Sequence, residues 1–143
     1  MKKIAIFGST GSIGSSLLKI IKDDKKYFKI ELLSANKNYK KLIKQAKFFK
    51  VKNLVITDYN SFLIATKILK NTQIKVFKNF DSLNKIFNSS IKIDYSMCAI
   101  SGFQGLKPTL EIIKFTKTIA IANKESIICG WNFIKKDLKK YKT

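Results

Sequence analysis

Apolar residues recur along this chain in two alternating forms: short unbroken runs, and longer stretches spaced at threes and fours. Ile4-Ala5-Ile6-Phe7 is of the first form. No polar residue alternates with it, so it predicts a strand buried on both faces, as in a parallel sheet. It runs into Gly8-Ser9-Thr10-Gly11-Ser12-Ile13-Gly14, after which Ile13, Leu17, Leu18 and Ile21 mark one face of a helix. The stretch 28–35 predicts the second strand. Tyr39, Leu42, Ile43, Ala46 and Phe49 outline a second helix, and 53–57 a third strand. Asp58 is placed to cap a helix carrying Phe62, Ala65 and Leu69. Ile74-Lys75-Val76-Phe77 reads as a short strand or an extended link, and Asp81 or Ser82 starts a small helix through Leu83, Ile86 and Phe87. A largely apolar strand at 94–100 leads into Ser101-Gly102. Pro108 fits the first turn of the next helix, where its missing N–H costs nothing, with Ile112, Ile113 and Phe115 as apolar members. A last strand at 118–122 precedes a helix carrying Ile127, Trp131, Ile134, Leu138 and Tyr141 on one face, expected to be core rather than a stacking platform.

Strand and helix alternation of this kind predicts an α/β fold, a doubly wound, Rossmann-like parallel sheet with helices on both faces. Counting five main strands, right-handed crossovers give the order 3-2-1-4-5. Ligands in such sheets sit beyond the carboxyl ends of the strands, where the order reverses. Residues 8–14, 36–38 and 122–126 converge on that edge, with Ser101-Gly102 beside them.

The glycine turn is the first candidate for chemistry. Its G-x-x-G-x-x-G spacing differs from the usual dinucleotide fingerprint, so its position between a buried strand and an amphipathic helix carries the argument. There the backbone can approach a phosphate, and the new helix offers its free N–H groups and positive dipole end. The alternative is a tight turn that binds nothing. Ser9, Thr10 and Ser12 add hydroxyls able to cap the helix or meet phosphate oxygens. The second strand ends in Asn36-Lys37-Asn38 with no carboxylate to take a ribose hydroxyl. A cation at that point suits a ribose 2′-phosphate, which favours NADP over NAD.

Composition narrows the class further. At 143 residues, 45% of them apolar, the chain is expected to be one globular domain, 1–143. No apolar run approaches the roughly 20 residues that span a bilayer, and the N-terminus does not read as a signal peptide, so a cytoplasmic location and no membrane partner are expected. Cys98 and Cys129 lack metal-ligand spacing and are expected as buried thiols; with no histidine, no metal site is expected in this chain. The net charge of +20 invites a nucleic-acid partner. Every basic residue is a lysine, however, and the lysines are spread along the chain rather than clustered, so a solvated surface is favoured over a nucleic-acid interface.

GSTGSIG at 8–14, ANKN at 35–38, AISGFQGLKPTL at 99–110 and ANKES at 122–126 followed by CGW appear in an order and at separations that resemble 1-deoxy-D-xylulose 5-phosphate reductoisomerases. The first block alone would also admit aspartate-semialdehyde-type dehydrogenases or sugar-nucleotide epimerases; the ANKES block separates them. The resemblance implies the N-terminal cofactor domain of an oxidoreductase that rearranges and reduces a sugar phosphate with NADPH, giving 2-C-methyl-D-erythritol 4-phosphate for non-mevalonate isoprenoid synthesis. It implies that Thr10, Gly11, Ser12 and Ile13 cradle the cofactor diphosphate, and that Lys37 and Asn38 hold the adenosine ribose phosphate, with Asn36 beside them as a cofactor contact. Asn123 and Glu125 would contact NADPH, and Lys124 would reach the substrate. A lysine at a helix start is misplaced against the dipole, which favours a ligand contact, whereas Glu125 suits that position with no ligand at all. Asn36 stands where the family usually has glycine, and asparagine tolerates a left-handed turn. A divalent metal (Mn or Mg), its carboxylates and a homodimer are expected of the full-length enzyme; this chain is expected to bind cofactor weakly without turnover and to hold no catalytic residue. The competing classes are a stand-alone NADP-sensing module and a basic nucleic-acid binder.

Overall fold

The first strand, β1 (Lys2–Phe7), shows why the sheet has two cores. Ile4 and Ile6 enter one apolar cluster while Ala5 and Phe7 enter another, and none of the four is more than 3% exposed. Successive side chains of a strand point to opposite faces, so an unbroken apolar run demands cover on both. The computed structural model, which describes residues 1–87 and 92–143, supplies that cover.

β1 is followed by α1 (Ser12–Asp23), β2 (Phe28–Ala35), α2 (Tyr39–Phe49), β3 (Asn53–Ile56), α3 (Tyr59–Leu69), β4 (Lys75–Phe77) and the short α4 (Leu83–Ile86). β5 (Tyr95–Cys98), α5 (Leu106–Ile113), β6 (Ile119–Ile121) and α6 (Lys124–Tyr141) complete the chain. All pairings are parallel and the order is β4-β3-β2-β1-β5-β6. The expected order of the five main strands holds, and the stretch left open between strand and link is the edge strand β4, paired with β3. The reversal falls between β1 and β5.

α1, α2 and α3 cover one face through Leu18, Ile21, Leu42, Ala46, Ala65 and Leu69. Leu83, Phe87, Ile112 and Phe115 cover the other with Phe80. β2 supplies both clusters, and a bulge resets which of its residues face each. Ile4 pairs with Ile30 but Ala5 with Leu32, so Glu31 is looped out of register and its carboxylate meets Lys29 Nζ at 2.7 Å. Ile30 and Leu33 therefore share a face despite their odd separation.

Several expectations are corrected. Trp131 is 47% exposed, and its neighbours Ile128 and Phe133 more so. The buried line of α6 runs through Ser126, Gly130 and Ile134 instead. A Cβ at Gly130 would lie 2.2 Å from Leu106 Cδ1, so the small residue lets Leu106 pack directly against the α6 backbone. Packing closeness, not the bulk of the tryptophan, chose the inward face. Cys129 is exposed while Cys98 is buried, and both thiols are free. β5 stops at Cys98 rather than continuing to Ile100, because the chain turns there over Gly8. Phe115 lies beyond the end of α5, with its ring against Phe87. Among the described residues no helix is long and apolar enough to cross a membrane.

Candidate functional site

Backbone contacts, more than side chains, shape the turn between β1 and α1. Gly8 has φ +80°, and a Cβ there would meet the Ala99 carbonyl at 2.7 Å, so only glycine allows the β1 and β5 ends to close on each other. A Cβ at Gly14 would lie 2.5 Å from the Gly8 carbonyl oxygen and 2.6 Å from Ser9 Cα, so the second glycine brings α1 hard against the turn. Gly11 is the N-cap of α1, and no side chain caps that helix. α2, α3 and α6 are capped by side chains, Asn38 accepting from Lys41 N, Asp58 from Ser61 N and Asn123 from Ser126 N, whereas α5, which starts after Gly105, is not. The first N–H groups of α1 thus lack both an intrahelical partner and a cap, which leaves them for an anion.

A cleft of about 790 Å³ opens beside this turn, lined by Gly8, Thr10, Gly11, Asn36, Ser101 and Lys107 among others. Its apolar wall comes from Phe80, Ile100, Phe103, Leu106 and Leu110. Lys107 forms an ion pair with Asp81 at 2.8 Å, and the hydrogen bond to that carboxylate raises its pKa. A second hollow of about 290 Å³ gathers Ile13, Ala99, Ile100, Ser101, Ala122, Asn123, Lys124 and Glu125. Seven of the ten sequence-chosen residues line one hollow or the other: Thr10, Gly11 and Asn36 the larger, and Ile13, Asn123, Lys124 and Glu125 the smaller. Ser12, Lys37 and Asn38 are exposed nearby and line neither.

Three side chains have structural employment that sequence reasoning did not foresee. Ser9 is fully buried and turned inward: its hydroxyl donates to Gln45 Oε1 at 2.9 Å, so it cannot cap α1 or reach a phosphate. Asn123 is 4% exposed; besides capping α6, its amide donates to the carbonyls of Ile100 and Gly102. Gly105 makes room for it, since a Cβ there would lie 2.5 Å from Asn123 Nδ2. Asn36 does not adopt a positive φ, so the tolerance of asparagine for a left-handed turn is not called upon; its amide donates to Thr57 Oγ1 at 2.8 Å. Lys41 and Gln45, not among the ten residues chosen from the sequence, grip the turn from α2. Their only signal was a spacing of four on a helix that follows the second strand.

Cys98 lies beneath the β5 end, where burial pushes its thiol up to about 12, which leaves it inert at neutral pH. Among the described residues no three His, Cys, Asp or Glu side chains gather, so the residues present do not make a divalent-metal site.

A doubly wound parallel sheet with an uncapped helix N-terminus and glycine turn at its switch point defines a nucleotide-binding α/β domain. The family model described as 1-deoxy-D-xylulose 5-phosphate reductoisomerase matches residues 4–130, and the chain belongs to that family. It is 85% identical over 143 residues to the reductoisomerase of Pelagibacter ubique (strain HTCC1062), covering all of this chain and 37% of the relative. A Wolbachia pipientis (subsp. Culex pipiens) reductoisomerase is 37% identical over 140 residues, 97% of this chain and 35% of the relative. The Zymomonas mobilis reductoisomerase, solved in complex with NADPH, superimposes with a TM-score of 0.87 at 31% identity, covering 99% of this chain and 37% of that one. A reductoisomerase complex with NADPH, fosmidomycin and magnesium gives 0.88 at 27% identity, covering 99% of this chain and 35% of that one. The chain therefore spans little more than a third of the length of the relatives it matches.

Proposed function

We propose that residues 1–143 are the NADPH-binding domain of a 1-deoxy-D-xylulose 5-phosphate reductoisomerase, and that the chain by itself binds the cofactor without turnover. The observation that carries this reading is the uncapped α1 N-terminus at Gly11, opening on a large cleft at the β1–β5 reversal. The NADPH complex of the Zymomonas mobilis relative supports it.

In this reading Thr10, Gly11, Ser12 and Ile13 hold the diphosphate through the turn and the first N–H groups of α1. Asn36, Lys37 and Asn38, at the β2 end, receive the adenosine ribose 2′-phosphate, with the Lys37 ammonium as countercharge. The apolar wall of the large cleft excludes water from the adenosine side. NADPH, when bound, supplies the hydride. Lys124 and Glu125 stand at the smaller hollow, where Lys124 binds an oxygen of the sugar phosphate and Glu125 contacts the cofactor. Asn123 acts by its backbone and by fixing the Ile100–Gly102 carbonyls, since its side chain is fully engaged. No step is assigned to a divalent ion, because no donor set is found among the described residues. In the full-length enzyme the remaining sequence would bring the metal carboxylates, and the protein would work as a cytoplasmic homodimer.

Fluorescence titration with NADPH and NADH tests the reading. Wild type is expected to prefer NADPH, and Lys37→Glu to erase most of that preference. An unchanged preference in Lys37→Glu refutes the role of Lys37. Measurable reductoisomerase turnover by the 143-residue chain refutes the claim that it only binds. Affinity for DNA that falls steeply with salt and ignores NADPH would favour the nucleic-acid class instead.

A further inference from the structure

The glycine turn is gripped from α2 by a lysine that enters no ion pair among the described residues. Lys41 Nζ donates to the Thr10 carbonyl at 2.8 Å and to Ser15 Oγ at 2.7 Å, and the Ser15 hydroxyl donates on to the Ser9 carbonyl at 3.2 Å. One helical turn further, Gln45 Nε2 donates to the same Ser9 carbonyl at 2.9 Å and Gln45 Oε1 accepts from Ser9 Oγ. Lys41 and Gln45 are four residues apart, so both leave α2 on one face. Meanwhile Gly11 N donates to the Gly8 carbonyl at 3.1 Å. The Thr10–Gly11 peptide is thereby fixed at both ends, its carbonyl by Lys41 and its N–H by Gly8.

Exposed lysines ordinarily lay the stem on the surface and keep the ammonium in water. Lys41 instead spends two of its three donors on neutral oxygens of the turn. The four ion pairs among the described residues leave it out. Thr10 and Gly11, the two residues that share that peptide, line the large cleft. A cation hydrogen-bonded to the turn that leads into an uncapped helix start adds positive charge where an anion would be held.

We infer that Lys41 is a positioning residue for the cofactor diphosphate: it locks the Thr10–Gly11 peptide and lends its charge to the phosphates held at the α1 N-terminus. The inference rests on the NADPH reading above and deepens it. Because the diphosphate is common to NADPH and NADH, Lys41 acts on both cofactors alike. Lys37, by contrast, acts on the 2′-phosphate alone.

The test titrates wild type, Lys41→Met, Lys41→Arg and Ser15→Ala with NADPH and with NADH, at low and at moderate salt, with a melting curve for each. Lys41→Met is expected to weaken both nucleotides roughly tenfold, the weight of one charge-assisted contact. It should also flatten the salt dependence of binding, which a purely structural role would leave alone. Lys41→Arg restores the salt dependence. Ser15→Ala keeps the charge, so it weakens binding about twofold to threefold with the salt dependence intact. It also carries the test if Lys41→Met does not fold. Wild-type affinity in Lys41→Met, a loss confined to NADPH, or an unaltered salt dependence each overturns the inference. If wild type binds neither nucleotide, the cofactor reading itself falls; if wild type binds and the variants match it, only Lys41 does.

Discussion

Gly14→Ala is the sharpest probe of the β1–α1 turn, because two opposing effects have calculable sizes. Gly14 is the third residue of α1, and replacing glycine by alanine inside a helix ordinarily gains about 1 kcal/mol. Here the added methyl would stand 2.5 Å from the Gly8 carbonyl oxygen and 2.6 Å from Ser9 Cα, and both obstacles are backbone. Ordinary contact begins near 3.4 Å, so α1 must retreat by nearly an ångström from a turn that Lys41, Gln45 and Ser34 hold in place. Overpacking of this kind costs about 1–3 kcal/mol, and with backbone on both sides this case sits at the upper end, about 2–3 kcal/mol. The clash wins, with a net loss of about 1–2 kcal/mol after the helix gain is credited. The melting temperature should fall by about 3–8 °C, read by circular dichroism. Gly11→Ala is the control: its Cβ would meet only the Gly8 carbonyl, at 3.4 Å, and its φ is negative. It should melt within about 3 °C of wild type, since an N-cap glycine gives up only several tenths of a kcal/mol to alanine. NADPH binding should nonetheless weaken in both, through a displaced helix start in one and a methyl facing the cleft in the other. A Gly14→Ala protein that melts at or above wild type would refute the geometry of the turn and the reasoning built on it.

Thiol labelling at pH 8 under native conditions should add one alkyl group, at Cys129. A second should follow only in denaturant, because Cys98 is 2% exposed with its thiol pushed up to about 12. Two rapid adducts in the folded protein would contradict the burial of β5. Asp94 accepts from Lys117 Nζ and from Lys3 N, each at 2.8 Å, and those bonds hold its carboxyl below the usual carboxylate range. A depressed native pKa means that the unfolded chain takes up the proton first as pH falls. The stability Asp94 contributes is therefore complete above its ordinary value of 3.8 and vanishes as pH drops through the native value. Asp94→Asn should lower the melting temperature at pH 7 and lose that difference at strongly acid pH; equal melting at pH 7 would show that the two bonds carry no weight.

Much of the sheet could be read from local pattern. The run Ile4–Phe7 announced a strand with two buried faces, and the spacing of Tyr39, Leu42, Ile43, Ala46 and Phe49 gave the limits of α2. Asp58 capped the helix it was assigned. Such features depend on neighbours a few residues apart, and sequence displays those distances directly. The glycine turn was legible for the same reason, since a strand, three glycines and a helix face form one contiguous unit.

What the sequence could not display were contacts made across the fold. Trp131 looked like core because it is large and periodic, yet Gly130 against Leu106 turned a neighbouring line of α6 inward. Ser9 looked available to a phosphate until Gln45, 36 residues away, claimed its hydroxyl. Asn123 was expected at the cofactor, and its side chain ties the 100–102 loop to the start of α6. Lys41 was one lysine among many until its ammonium was found on the turn, 31 residues from Thr10. Periodicity and turn chemistry, being local, determined which segments become strands and helices and where a phosphate could sit. Only the tertiary structure decided which polar side chains remain free to meet that phosphate, because a hydrogen-bonding group serves whichever partner the fold brings within about 3 Å.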